Sequence, residues 1–88
     1  MPGPDTIAVS IRYFAAAAAA AGVDTETLVL PTGTTISTLV EQLSGRDQEL
    51  ARVLKRCSYL CDGIAVRDTD KPLSTPQTLD VLPPFAGG

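Results

Sequence analysis

Apolar and polar residues change period several times along these 88 residues, and each change marks an element. From Thr6 to Arg12 the stretch TIAVSIR alternates, putting Ile7, Val9 and Ile11 on one face in the manner of a half-buried strand. Seven alanines follow, Ala15 to Ala21, closed by Gly22. Alanine is the best helix former and glycine suits the position just past a helix, so the run predicts a short helix. It is shorter than the ~12–15 residues that hold helicity alone, so packing must hold it; the alternative is a low-complexity segment without structure. ETLVLP, Glu26 to Pro31, predicts a second strand with Leu28 and Leu30 on one face, and Pro31-Thr32-Gly33 turns the chain.

The clearest helical period comes next. Ile36, Leu39, Val40 and Leu43 recur at i, i+3, i+4 and i+7, with Thr34 or Thr35 as cap and Gly45 as stop. Asp47 predicts the cap of a shorter helix that puts Leu50, Val53 and Leu54 on one face, and Lys55-Arg56 suit the negative end of its dipole. SYLCDGIAV, Ser58 to Val66, reads as a hairpin whose apolar arms flank Asp62-Gly63, a pair favoured in type I′ turns. Arg67 to Gln77 reads as loop, broken by Pro72 and Pro76; TLDVL, Thr78 to Leu82, alternates again and stops at Pro83-Pro84. There is no internal repeat and no interdomain linker. The expected organisation is one domain over residues 1–82 and a tail over 83–88. With so few elements, one main helix must lie across one face of a mixed sheet, in the α+β class. Right-handed crossovers favour the last strand lying parallel beside the first, at the sheet's centre.

Composition narrows the partners. Seven Lys and Arg against ten Asp and Glu give a net charge of -3, and no basic patch stands out. Nucleic acid and anionic membranes are therefore not expected as partners. No apolar run approaches the ~18 residues of a membrane span. FAAAAAAAG does not make a secretion leader, because Met1 to Thr6 carries no positive charge and Arg12 interrupts the apolar region. The expected location is cytoplasmic.

Candidate side-chain chemistry is thin. Cys57 and Cys61 are the only cysteines and there is no histidine, whereas a structural zinc site takes about four such ligands. A disulfide is disfavoured by the helix-to-strand spacing and by a reducing compartment. The two are read as small, semi-buried apolar residues, with a redox or persulfide role as the alternative. Asp62, Asp68 and Asp70 lack the spacing of a calcium loop and read as a solvated acidic turn. No catalytic triad, P-loop, dinucleotide fingerprint or metal-ligand set is present in the sequence.

That leaves LPPFAGG, Leu82 to Gly88, and its terminal carboxylate. Pro83 to Gly88 span at most about 20 Å when extended, enough to enter an active site on another protein. Glycines pass a narrow channel because they have no Cβ, prolines lower the entropy lost on ordering, and Phe85 suits a partner's pocket. The alternative is an inert terminus.

IRYFAAAAAAAG near the start, CDGIAV in the hairpin and PQTLDVLPPFAGG at the end resemble the MoaD-type small subunits of molybdopterin synthase, in the MoaD/ThiS sulfur-carrier family. The resemblance covers essentially the whole chain, most specifically its strand-to-tail segment. It implies a ubiquitin-like β-grasp fold with a flexible C-terminal tail, in agreement with the α+β roll. It further implies that a MoeB-type adenylyltransferase/sulfurtransferase, using MgATP, converts the carboxylate of Gly88 into an acyl-adenylate and then a thiocarboxylate. No cofactor would be held by the chain itself. The tail would enter a MoaE-type large subunit and give its sulfur to cyclic pyranopterin monophosphate, building the dithiolene of molybdopterin. On this sequence Gly88 bears the reactive group, Gly87 gives access to it, and Leu82, Pro83, Pro84, Phe85 and Ala86 contact the partner. One departure lies at Ala15–Ala21, uncharged where many relatives place a charged residue, often arginine. Alternatives implied by the same ending are a sulfur carrier for thiamine or cysteine synthesis, and a ubiquitin-like modifier forming isopeptide bonds through Gly88.

Overall fold

Strand β1 (Thr6–Tyr13) leads into helix α1 (Ala15–Ala21), and strand β2 (Thr25–Pro31) returns antiparallel to β1. Helices α2 (Ile36–Ser44) and α3 (Gln48–Leu54) follow, then β3 (Ser58–Cys61), β4 (Ile64–Ala65) and β5 (Gln77–Leu82). This computed structural model describes residues 5–74 and 76–84. The strands form one mixed sheet in the order β2-β1-β5-β3-β4. As the crossover rule predicts, β5 lies parallel to β1 at the centre, pairing Ile11 with Leu79 and Tyr13 with Val81, while β3 runs antiparallel along its other edge.

Period-2 alternation sorts the central strands into two faces. Ile7, Val9, Ile11 and Tyr13 of β1 and Leu79 and Val81 of β5 are buried. They share a core with Leu30, Ile36, Leu39, Leu43, Leu50 and Leu54. Each such aliphatic side chain contributes roughly 1.5–3 kcal/mol by leaving water. Both predicted caps form: the Thr35 hydroxyl accepts the Thr38 N–H at 3.1 Å, and the Asp47 carboxylate accepts the Leu50 N–H at 3.2 Å. Helix α3 packs against both α1 and α2, so the two expected short helices accompany the main one.

The alanine run is helical throughout. Only Ala17 of it is buried, and Gly22 closes it in the left-handed region at φ 81°, its N–H returning to the Ala18 carbonyl at 2.9 Å. Its start is less relaxed: Phe14 offers no side-chain cap, and Ala15 adopts φ 50°. Left-handed backbone costs a residue with a Cβ about 1–2 kcal/mol. The hairpin turn is of the expected kind, with positive φ at both Asp62 (51°) and Gly63 (83°).

The segment read as loop carries more structure than its prolines suggest. Leu73 is buried, its N–H donates to the Thr34 carbonyl at 2.8 Å, and the Ser37 N–H donates to the Thr69 carbonyl at 2.8 Å. A bridge between Thr35 and Pro72 completes the attachment to the start of α2. The aspartates of this region serve its backbone: Asp62 accepts the Thr78 N–H at 2.9 Å and Asp68 that of Asp70 at 3.0 Å.

Candidate functional site

The tail grows from the middle of the sheet. Val81 is fully buried between Tyr13 and Tyr59 on the flanking strands, and its carbonyl accepts the Phe14 N–H at 3.2 Å. Leu82 pairs with Ser58 and is half-buried, Pro83 is half-buried and Pro84 is exposed. Proline lacks the N–H that a ladder needs, so pairing stops where Pro83 begins and the chain leaves the sheet. Phe85, Ala86, Gly87 and Gly88, the remaining predicted site residues, lie outside the described residues.

Two groups that local patterns do not reveal surround this exit. On the sheet face away from the helices, Arg12 Nε sits 3.1 Å from Asp80 Oδ1, and the guanidinium carbon lies 5.2 Å from the centre of the Phe14 ring. Asp80 Oδ1 is buried and makes no hydrogen bond among the described residues, so what faces its charge is the ion pair with Arg12. The alternation of TIAVSIR already placed Arg12 opposite Ile11, but only strand order brings it to Asp80.

On the helix-facing side, the buried Tyr13 hydroxyl donates to Glu26 Oε2 at 2.7 Å. Arg46, from the α2–α3 connection, donates to both oxygens of Glu26 at 3.0 and 2.8 Å. Burial and the hydrogen bond to Glu26 push the Tyr13 phenol well above its ordinary value, keeping it a donor. Burial also pulls Glu26 upward, but hydrogen bonds from Arg46 and Tyr13, with the charge of Arg46, outweigh it and leave the carboxyl low. This network ties the end of β1, and hence the neighbouring end of β5, to β2 and the helices.

The cysteines are free thiols, Cys57 just before β3 and Cys61 its last residue. The Cys57 thiol donates to the Val53 carbonyl at 3.2 Å, and burial pushes it up. Burial and the neighbouring Asp62 raise Cys61, against a smaller pull from Lys71. Both shifts favour the thiol over the thiolate, which is the nucleophilic and metal-binding form. Among the described residues, no three His, Cys, Asp or Glu side chains come together as a metal site, and no helix is long and apolar enough to cross a membrane.

Sequence comparison bears on this arrangement directly, because the pattern of the ThiS family matches residues 11–88, from inside β1 through both glycines. The chain belongs to the ThiS family. This places it among the ThiS/MoaD sulfur carriers of ubiquitin-like, β-grasp fold. No curated protein matches it in sequence. Among solved structures it is similar to a protein provisionally named molybdopterin converting factor, subunit 1, from Pyrococcus furiosus, with 25% identity and a TM-score of 0.80. That match covers 90% of this chain and 99% of the other. The small archaeal modifier protein SAMP1 from Haloferax volcanii matches with 22% identity and a TM-score of 0.78, over 92% of this chain and 99% of its own. Subunits 1 and 2 of molybdopterin-converting factor from Helicobacter pylori have been solved as a complex, which matches with 20% identity and a TM-score of 0.64 over 93% of this chain and 100% of the matched one. At these last two identities the likeness is one of fold. The strand that leads to the matched C-terminal glycines, β5, is the middle one of the five.

Proposed function

We propose that this ThiS-family chain is the sulfur-carrying small subunit of a molybdopterin synthase, with the carboxylate of Gly88 as its reactive group. The observation that carries the reading is the family match running from β1 through Gly88, joined to a central strand that releases the chain at Pro83-Pro84. In this reading a MoeB-type enzyme lets a carboxylate oxygen of Gly88 attack the α-phosphorus of MgATP, releasing pyrophosphate. Sulfur at the sulfide oxidation level then displaces AMP, so that the C–O bond to AMP is exchanged for the C–S bond of a thiocarboxylate. Adenylation is needed because a carboxylate repels nucleophiles, whereas its mixed anhydride has a good leaving group. The sulfur is afterwards the nucleophile: inside a MoaE-type large subunit it bonds to a carbon of cyclic pyranopterin monophosphate and displaces an oxygen there, and hydrolysis of the resulting thioester leaves the sulfur on the pterin and returns Gly88 to a carboxylate. Gly87 leaves the acyl carbon open on both sides, while Leu82, Pro83, Pro84, Phe85 and Ala86 fill the entrance. The partner supplies charge stabilisation and proton transfer.

The test is intact mass after incubation with a MoeB-type enzyme, MgATP and a sulfur donor. One oxygen-for-sulfur exchange is expected, reversed on adding the large subunit and pterin substrate; an unchanged mass sinks the reading. Deleting Gly88 should abolish the exchange without altering the fold. A modifier role, which shares the acyl-adenylate but spends it on an amine, would instead give higher-mass isopeptide conjugates. A carrier for thiamine or cysteine synthesis would form the thiocarboxylate yet fail to deliver it to the pterin.

A further inference from the structure

At the end of β5 away from the tail's exit, a cleft of about 670 Å³ opens between the β3–β4 hairpin, the segment after it and the start of α2. Sites for small molecules span roughly 300–1,000 Å³. Gln77, the first residue of β5, lines the cleft and lies about 17 Å along the strand from Leu82, so the cleft stands apart from the point where the tail leaves. Its apolar wall is made by Ile36, Ile64 and Leu73. Ile36 and Leu73 are buried, whereas Ile64 is 72% exposed, more than any other large hydrophobic residue among those described.

Two kinds of polar group border this wall. The first is backbone. Cys61 and Ile64 pair across the two-residue turn, and the Val66 N–H returns to the Tyr59 carbonyl at 2.9 Å. Ala65 lies between these bonded pairs, opposite Leu60, so antiparallel alternation turns its N–H and C=O outward, where no strand follows β4. A peptide group laid along that edge meets one donor and one acceptor. The second kind is charge. Arg67 and Lys71 line the cleft together with Asp62 and Asp68, and among the described residues none of the four forms an ion pair. One oxygen of each carboxylate is taken by backbone, from the Thr78 N–H at 2.9 Å and the Asp70 N–H at 3.0 Å, which leaves the other oxygen open. Two cations and two carboxylates sum to zero, so neither a polyanion nor a simple cation is matched there. A ligand that bears both charges complements both sets.

We propose that this cleft binds a short zwitterionic peptide with apolar side chains. Its main chain pairs with the Ala65 edge, its side chains cover Ile36, Ile64 and Leu73, its carboxylate meets Arg67 and Lys71, and its ammonium meets Asp62 and Asp68. The inference goes beyond the carrier reading and assigns no part to Gly88. It is tested by titrating the isotope-labelled full-length chain with L-leucyl-L-phenylalanine, its N-acetyl derivative, its C-terminal amide and the doubly blocked peptide. The dipeptide should shift the backbone amide signals of Ala65, Arg67 and Leu73 saturably. It should also slow alkylation of Cys61, which lines the cleft, and leave that of Cys57, which does not. Removing either terminal charge should weaken binding about tenfold. In Arg67→Gln/Lys71→Gln, altered at two exposed positions, the dipeptide and its amide should bind alike. Ile64→Ser should weaken all four peptides. Absence of any shift at millimolar dipeptide overturns the proposal. Equal affinity for the doubly blocked peptide overturns it in favour of an internal segment of a protein, and equal affinity for either singly blocked form overturns the zwitterion. None of these outcomes bears on the mass exchange at Gly88, so the two readings fail separately.

Discussion

On one face of the two central strands, Val9, Ile11, Leu79 and Val81 are fully buried beneath the helices. On the other, Ser10, Arg12, Thr78 and Asp80 lie at partly or largely exposed positions one residue away. The strands are the same and only the parity differs. The buried set is held by area removed from water, so shape and volume constrain it. The open set contributes little to folding and is free to carry recognition. Between them, at the end of β1, Tyr13 and Ala15 join strand to helix beside the tail's exit.

The sharpest way to break this contrast is from the buried side. Leu79→Ala should cost about 2–5 kcal/mol, read as a fall in denaturant midpoint, because a cavity opens at a position with no exposed surface. That is a large share of the ~5–15 kcal/mol that stabilises an ordinary domain. Tyr13→Phe keeps the packing but removes the donor to Glu26 and should cost about 1–2 kcal/mol.

Alkali should expose the same asymmetry. Burial pushes the Tyr59 phenol from 10.0 to about 12 and raises Tyr13 further. A raised phenol pKa stabilises the fold fully below the unfolded value and loses that stabilisation as pH rises through the folded one. Melting temperature should therefore fall between pH 10 and 12, less steeply in Tyr13→Phe and Tyr59→Phe. At the junction, Ala15→Gly should stabilise by up to about 1 kcal/mol, since relief of the left-handed strain exceeds glycine's entropy cost. From the open side, Thr78→Val should move stability by no more than about 0.5 kcal/mol in either direction. A loss comparable to that of Leu79→Ala would show that the open face also holds the fold.

What could be read in the sequence was whatever a short window determines. The caps at Thr35 and Asp47, the left-handed stop at Gly22 and the Asp62-Gly63 turn depend on one to four neighbouring residues, and each stands where expected. The parallel pairing of β1 with β5 followed from chain order and handedness, which are also visible in one dimension. Leu73 escaped, because Pro72 and Pro76 mark a loop locally while the burial of Leu73 comes from the distant start of α2. The Arg12–Asp80 pair and the Tyr13–Glu26–Arg46 network escaped for the same reason: their members meet only once strand order and helix placement are fixed. The tail was the most informative part of the sequence, and of it Leu82, Pro83 and Pro84 are placed where the strand lets go.

The position of β5 has a mechanical consequence. A pull on the tail acts along the axis of a strand gripped by β1 on one edge and β3 on the other. Such a load is shared by both ladders in shear, so many bonds must slip together. At the outer strands β2 and β4 a perpendicular pull would instead unzip one bond at a time. The domain is thus anchored most firmly along the line on which its cargo end would be drawn.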